Sequence, residues 1–402
     1  MCLTGPAARR SDSLNLKYLD GQNAIDAATR TEGHMPAVEN RMRRANHFKL
    51  GTFSTNCSSG MSVTKIPERW DASWDSNLAL SKLLDDAGID FMLPIARWIG
   101  YGGETNFHGH VLETMTWAAG LLASTKRISV IATIHTACNH PVVVAKQIAT
   151  IDAIGQGRAG LNIVAGWNKP EYEALGLTLP DDHETRYAYA QEWFDIIQEL
   201  WARPGAFDIT TEHFNLKGIE SEPKPVSGRP PILNAAGSGL GREFATRNAD
   251  FLFTSVIDFD RSREEIAELK AQAAAQGRDV DVLTFSHVVC RPTEKEAQDY
   301  LQHFAQDNAD WEAVDNLVRL QFAHAQSFPH DLLALIRDRF AMGHGGIPLI
   351  GTPEQVADGL CQLHELGLGG TTLSFVDYGK EFPYFRDNVL PILEARGIRQ
   401  AG

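Results

Sequence analysis

From Lys49 onward, short apolar or period-two runs alternate with longer stretches whose apolar positions recur every three or four residues. The runs predict strands at 50–55, 90–97, 128–135, 158–166, 232–236, 251–255, 283–289 and 371–376. Between them the pattern predicts helices at 78–87, 112–124, 141–154, 187–201, 262–276 and 353–366. A short helix separates the fifth and sixth strands, a polar, mostly helical region covers 293–340, and a last helix runs through 394. Residues 202–229, with Pro204, Pro223 and Pro225, read as an insertion, because the alternation resumes at once. Eight βα repeats predict an α/β TIM (β/α)8 barrel over 47–402, with insertions at the mouth. A doubly wound open sheet gives similar local patterns. Residues 1–46 are polar and of mixed charge, and form an N-terminal extension of unreadable role.

In a barrel the chemistry lies where strands end, so inward polar residues there carry the information. In the third strand Val130, Ala132 and Ile134 form a wholly apolar face suited to the outer helices. Thr133 and His135 therefore point inward near the mouth. In the fourth strand Leu161, Ile163 and Ala165 form the apolar set, which turns Asn162 inward. A buried Asn requires hydrogen-bond partners. Thr133 and Asn162 can bond each other or a water, or they can face a ligand; Trp167, Lys169 and Glu171 in the next loop favour a ligand site.

After the fifth strand the chain reads Asn234-Ala235-Ala236-Gly237-Ser238-Gly239-Leu240-Gly241. A strand, a glycine turn and a helix start form an anion-binding arrangement, with free backbone N–H groups and the Ser238 hydroxyl as donors. The spacing departs from the dinucleotide GxGxxG pattern, so a mononucleotide phosphate is expected.

The 51 acidic against 37 basic residues give a net charge of −14, which disfavours nucleic acid and acidic membranes as partners. No apolar run reaches the length of a membrane span. Five scattered cysteines without a CxxC pair point to reduced thiols and a cytoplasmic protein. His108-Gly109-His110 raises the rival of a metal-dependent hydrolase barrel. The motif lies in a loop, however, whereas a metal pair of that spacing belongs on a strand.

The segment 132–177, with flanking similarity in 91–110, 183–201, 234–238 and 349–360, resembles the bacterial-luciferase-like flavin monooxygenases. The nearest branch holds the pyrimidine, alkanesulfonate and dimethylsulfone monooxygenases, and an oxidative dehalogenase acting on hexachlorobenzene. The resemblance implies reduced FMN as cofactor, O2 as co-substrate, and oxygenation of a small substrate through a flavin peroxide. It also implies a separate NAD(P)H:flavin reductase and a homo-oligomer, dimer or tetramer. Residue by residue, it places Thr133 and Asn162 on the oxygen side of the flavin and Ala96 and Arg97 beside the ring. It makes Glu171, Arg186 and Tyr187 flavin contacts and Gly237 and Ser238 phosphate ligands. His135 is a proton donor or a packing residue. Phe53, Trp98, Tyr101, Phe107 and Tyr378 would line a pocket suited to a flat or aromatic substrate. A deazaflavin-dependent oxidoreductase of the same superfamily is the nearer alternative, and a non-catalytic flavin-binding relative is another. The stretch 341–348, with His344, would border a lid.

Overall fold

A computed structural model of the chain describes residues 38–44, 48–235, 239–322 and 330–400. Eleven strands occur among them: β1 (Lys49–Phe53), β2 (Phe91–Leu93), β3 (Ser129–His135), β4 (Ala159–Val164), β5 (Phe207–Thr210), β6 (Asn215–Ile219), β7 (Ile232–Ala235), β8 (Phe251–Phe253), β9 (Asp281–Cys290), β10 (Ile347–Gly351) and β11 (Gly370–Ser374). Eight of them, in the order β1-β2-β3-β4-β7-β8-β9-β11, pair in parallel and close through β11 on β1, giving the expected barrel.

Helices cover the outside for a simple reason: strand residues of one parity are apolar and need a second layer. Val130, Ala132, Ile134, Leu161 and Ile163 pack outward in one core with Val144, Ile148, Trp193 and Ile197 of the surrounding helices. The helix His183–Ala202 buries Ala190, Trp193, Phe194, Ile197 and Trp201, a stripe at helical spacing. Its start is capped by the Asp182 side chain, which accepts from the Thr185 amide. Inside the barrel the other parity forms a second core of Phe91, Leu93, Ile131, Leu233, Phe251, Phe253 and Leu283. Gly51 belongs to this layer because a Cβ there would lie 2.5 Å from the Phe91 ring.

Residues 38–44, read from the sequence as part of the extension, belong to the barrel. Met42 enters the inner core from the amino-terminal end of the strands. Asn40 fixes it there, donating to the Gly157 carbonyl and accepting from the Ser129 hydroxyl and the Met42 amide.

Three strands were not anticipated. The insertion after the long helix contains an antiparallel hairpin, β5–β6, whose residues alternate between half-buried and exposed. The glycine-rich stretch read as a lid border instead ends the helix His330–Gly343, turns at His344 and Gly345, and enters β10. β10 pairs with Ser286–Cys290, the upper half of β9, while β8 pairs with Asp281–Leu283 in the lower half. β9 is long enough to serve both neighbours. Among the described residues no helix is long and apolar enough to cross a membrane.

Candidate active site

Pro94 ends β2, because it cannot donate to the strand ladder. Beyond it Asn56 takes over the role of a neighbouring strand. Its side chain accepts from the Ile95 amide at 3.0 Å and donates to the carbonyls of Ile95 and Leu112. This clamp sets Ala96 and Arg97 at the mouth. Asn56 was not among the residues singled out from the sequence; only the three-dimensional arrangement makes it conspicuous.

The carboxyl ends of the strands enclose a cavity of about 310 Å³. Phe53, Ala96, Arg97, Thr133, His135 and Asn162 line it, as expected. Met61, Trp167, Phe253, Phe285, Gln321 and His344 complete much of the wall. Phe253 and Phe285 are stacked at 5.7 Å, and Phe53 meets both edge-on, so the floor is an aromatic cluster. A side chamber of about 170 Å³ shares Ala96, Arg97, Thr133 and His135 with the main cavity and reaches Trp98. A larger cleft of about 700 Å³ lies at the opposite end of the barrel, beside Met42 and Lys49. Lys49 there is already paired with Asp281, and barrel chemistry belongs to the other end.

Thr133 and Asn162 stand side by side, as the β3–β4 register requires. The Thr133 hydroxyl donates to the Pro94 carbonyl at 2.7 Å. Asn162 Nδ2 donates to Thr133 Oγ1 at 3.2 Å. The threonine proton is therefore committed, and one amide N–H and the Oδ1 of Asn162 are left for a ligand. Asn162 Oδ1 is closed to solvent and has no partner among the described residues.

Arg97 and Glu171 form a buried ion pair at 3.0 Å, and the second Glu171 oxygen accepts from the Trp98 amide at 2.5 Å. The guanidinium lies between the rings of Tyr101 and Trp167, at 4.8 and 5.2 Å from their centres. Glu171 is thus spent on holding Arg97 and the Trp98 backbone, and it does not line the cavity.

His135 is buried, and burial with the nearby Arg97 charge lowers its imidazole to about 3. It is neutral near pH 7 and offers one N–H and one lone pair. The Tyr172 hydroxyl lies 3.4 Å from its Nδ1. That approach depends on Gly166, at φ 109°, where a Cβ would sit 2.2 Å from the same hydroxyl. His344 is likewise lowered to about 3 by burial and by Arg97.

Three aromatic residues expected in the pocket pack behind it. Tyr378 is fully buried against Trp70 and Phe375, its hydroxyl donating to the Phe53 carbonyl at 2.5 Å. Tyr101 and Phe107 stack on each other in a separate apolar cluster. Residue type suggested these three, but side-chain direction removes them. Arg186 folds back on the Pro180 and Asp181 carbonyls, and Tyr187 packs on Phe244; neither lines the cavity. Gly237 and Ser238 lie outside the described residues. The imidazoles of His108 and His110 diverge: His108 is buried 2.6 Å from the Gly60 carbonyl, and His110 is exposed.

The profile of the luciferase-like monooxygenases matches residues 48–369. A pyrimidine monooxygenase of Acinetobacter baylyi is 31% identical over 355 residues, covering 87% of this chain and 95% of its own. An FMNH2-dependent dimethylsulfone monooxygenase of Pseudomonas fluorescens is 30% identical over 86% of this chain and 94% of its own. Among solved structures, a riboflavin lyase holding modified FMN and riboflavin superposes with a TM-score of 0.79 at 22% identity, over 89% of this chain and 93% of its own. The barrel, its polar mouth and these relatives agree: the chain belongs to the luciferase-like family of flavin-dependent monooxygenases.

Proposed function

We propose that the chain is the oxygenase of a two-component system that takes reduced FMN from a separate NAD(P)H:flavin reductase and inserts one oxygen atom of O2 into a small, neutral, flat substrate. The observation that carries this reading is the Thr133–Asn162 pair at the cavity wall, with one amide N–H and one buried acceptor uncommitted. Such orphan groups suit a polar planar ligand, and the aromatic floor suits its ring faces. The residues thus fit a flavin.

Ala96, Arg97, Thr133 and Asn162 would hold the ring, with Gly237 and Ser238 as the phosphate turn. When bound there, reduced flavin supplies the electrons that activate dioxygen. The chain's own residues supply the setting. The remaining Asn162 N–H donates to the oxygen that gains negative charge. Arg97 keeps a fixed positive charge at the wall, because Glu171 and two aromatic rings hold it. His135, neutral, hydrogen-bonds without carrying charge, so a role as cationic acid is set aside. Phe53, Phe253 and Phe285 keep water from the floor. Among the described residues the one charged side chain lining the cavity, Arg97, is already paired, which favours an uncharged substrate over a sulfonate.

The test is product analysis by mass spectrometry with sulfones, pyrimidines and halogenated aromatics. Oxygenated product is expected with FMNH2 from an added reductase, and none with the reduced deazaflavin. Turnover on NADPH alone, in a reductase-free preparation, would contradict the two-component reading.

A further inference from the structure

His344 lines the cavity, yet it comes from a turn rather than from the end of a barrel strand. It follows the helix His330–Gly343, whose last residue rests on β9: a Cβ at Gly343 would sit 2.6 Å from that of His287. β9 stands four places from β3 in the ring of eight strands. His344 thus approaches the cavity from a different quarter than Thr133 and Asn162. Its turn is closed by main-chain bonds. The His344 amide donates to the Phe340 carbonyl and the Gly345 amide to that of Arg339, both at 3.0 Å. His344 takes a left-handed φ of 54°, which glycine adopts at less cost. The turn therefore has no need of an imidazole, and the side chain's role lies in what it touches.

The ring stands steeply against those of Phe340, Phe107 and Tyr101, at interplanar angles of 66°, 83° and 75° and centroid distances of 5.7, 6.2 and 6.3 Å. Three such neighbours leave it little freedom to turn. Nδ1 is closed off, without a partner among the described residues, whereas Nε2 is not enclosed in this way. Nε2 is therefore the atom through which His344 can meet a ligand in the cavity. A flat ring laid on the aromatic floor of Phe53, Phe253 and Phe285 turns its edge to the walls, and His344 is one of them.

We propose that His344 selects the substrate by its edge, Nε2 hydrogen-bonding a hydroxyl or lactam group on a small flat ring. This rests on the oxygenase reading above and narrows its substrate class. A plain or halogenated aromatic of the same shape strips water from Nε2 and gives it no partner, so the site discriminates against it. His344 is thus a specificity-determining residue, separate from the groups assigned to the flavin.

Equilibrium titrations of the whole chain with para-fluorophenol and para-difluorobenzene, followed by fluorine NMR, test this without turnover. The two probes differ only in a hydroxyl against a fluorine. His344→Phe keeps a ring in place and removes both nitrogens. It should weaken para-fluorophenol about tenfold and leave para-difluorobenzene within about twofold, the scale of one hydrogen bond lost in a desolvated site. His344→Gln sets an amide where Nε2 lies and should restore para-fluorophenol to within about threefold, on the same scale. His344→Asn, one carbon shorter, should not. Equal weakening of both probes in His344→Phe means that the ring only packs, and overturns the inference. Unchanged para-fluorophenol affinity in that variant overturns it too, as does a native chain that fails to bind this probe. An anaerobic titration with FMNH2 separates the two readings. Its affinity should be the same in the native chain and in His344→Phe, and a native chain that binds no FMNH2 removes the flavin reading, and this inference with it.

Discussion

Glu171 illustrates how a residue's role is decided by what it touches. Its type and position suggested a ligand contact, yet both oxygens are engaged, one by Arg97 and one by the Trp98 amide. A buried ion pair loses most when one partner is removed, because the other charge stays behind without compensation. Glu171→Gln is therefore expected to destabilise the fold by about 3 kcal/mol, read as a lowered urea midpoint. An unchanged midpoint would mean that Arg97 is solvated or paired otherwise. At this scale the sequence was most informative where strand parity applied. Thr133, His135 and Asn162 were legible because one face of each strand was wholly apolar. Parity would also have identified Phe253 and Phe285, which follow Phe251 and Leu283 on the inner face. Tyr101, Phe107 and Tyr378 were misplaced because they lie in loops or at a helix start, where no period says which way a ring points.

The position of β3 matters more than that of other strands, since it carries both Thr133 and His135. Its entry is fixed by Asp85, at the end of the helix Trp74–Asp86. The Asp85 carboxylate accepts from the amides of Lys126, Arg127 and Ile128 at 2.9, 2.8 and 2.6 Å. Three charge-assisted bonds to one carboxylate set where the strand begins. Asp85→Ala should cost about 3 kcal/mol or more and accelerate amide hydrogen exchange at residues 126–130. Exchange unchanged there, with stability lost elsewhere, would place the anchor of β3 in its ladder instead. Elements with strong periodicity were legible in the sequence, and the helix Pro141–Ile154 was read to the residue. The β5–β6 hairpin was not, because it lies at the surface in a stretch whose prolines and glycines read as an insertion, and the alternation at Phe207 and Ile209 is only four residues long. β10 was hidden by its own composition. Gly345 and Gly346 precede it and Pro348 sits within it, signals that ordinarily argue against a strand.

Across the molecule, four histidines stand out among the described residues: His108, His135 and His287, which are buried, and the half-buried His344. Burial holds the last three near 3 and His108 well below its ordinary value. His287 is enclosed beside Phe304, with neither ring nitrogen partnered among the described residues. Each is neutral in the folded chain and takes up a proton on unfolding once the pH falls below about 6.5. The unfolded state then binds more protons, so stability is full above that pH and declines as the pH drops towards 3. The slope for each histidine approaches about 1.4 kcal/mol per pH unit. Urea unfolding at pH 7.5, 6.5 and 5.5 should reveal a steep acid sensitivity, and His287→Leu should reduce the slope by about one proton. A flat profile over that range would show that these imidazoles are protonated in the fold or solvated.

The barrel's closure has a consequence of a different kind, in time rather than in space. Arg399 forms a buried ion pair with Asp90 at 3.0 Å, and the Ile398 carbonyl accepts from the Phe48 amide. β1 rests on β11, and Asp90 in turn accepts from the Leu50 amide. Residues from the first and last hundred of the chain thus share one junction. During synthesis Asp90 is made more than three hundred residues before its cation, so the junction has no means of forming until Arg399 has been added. Until then the first two strands wait with one edge open, and the nascent protein depends on whatever shields that edge.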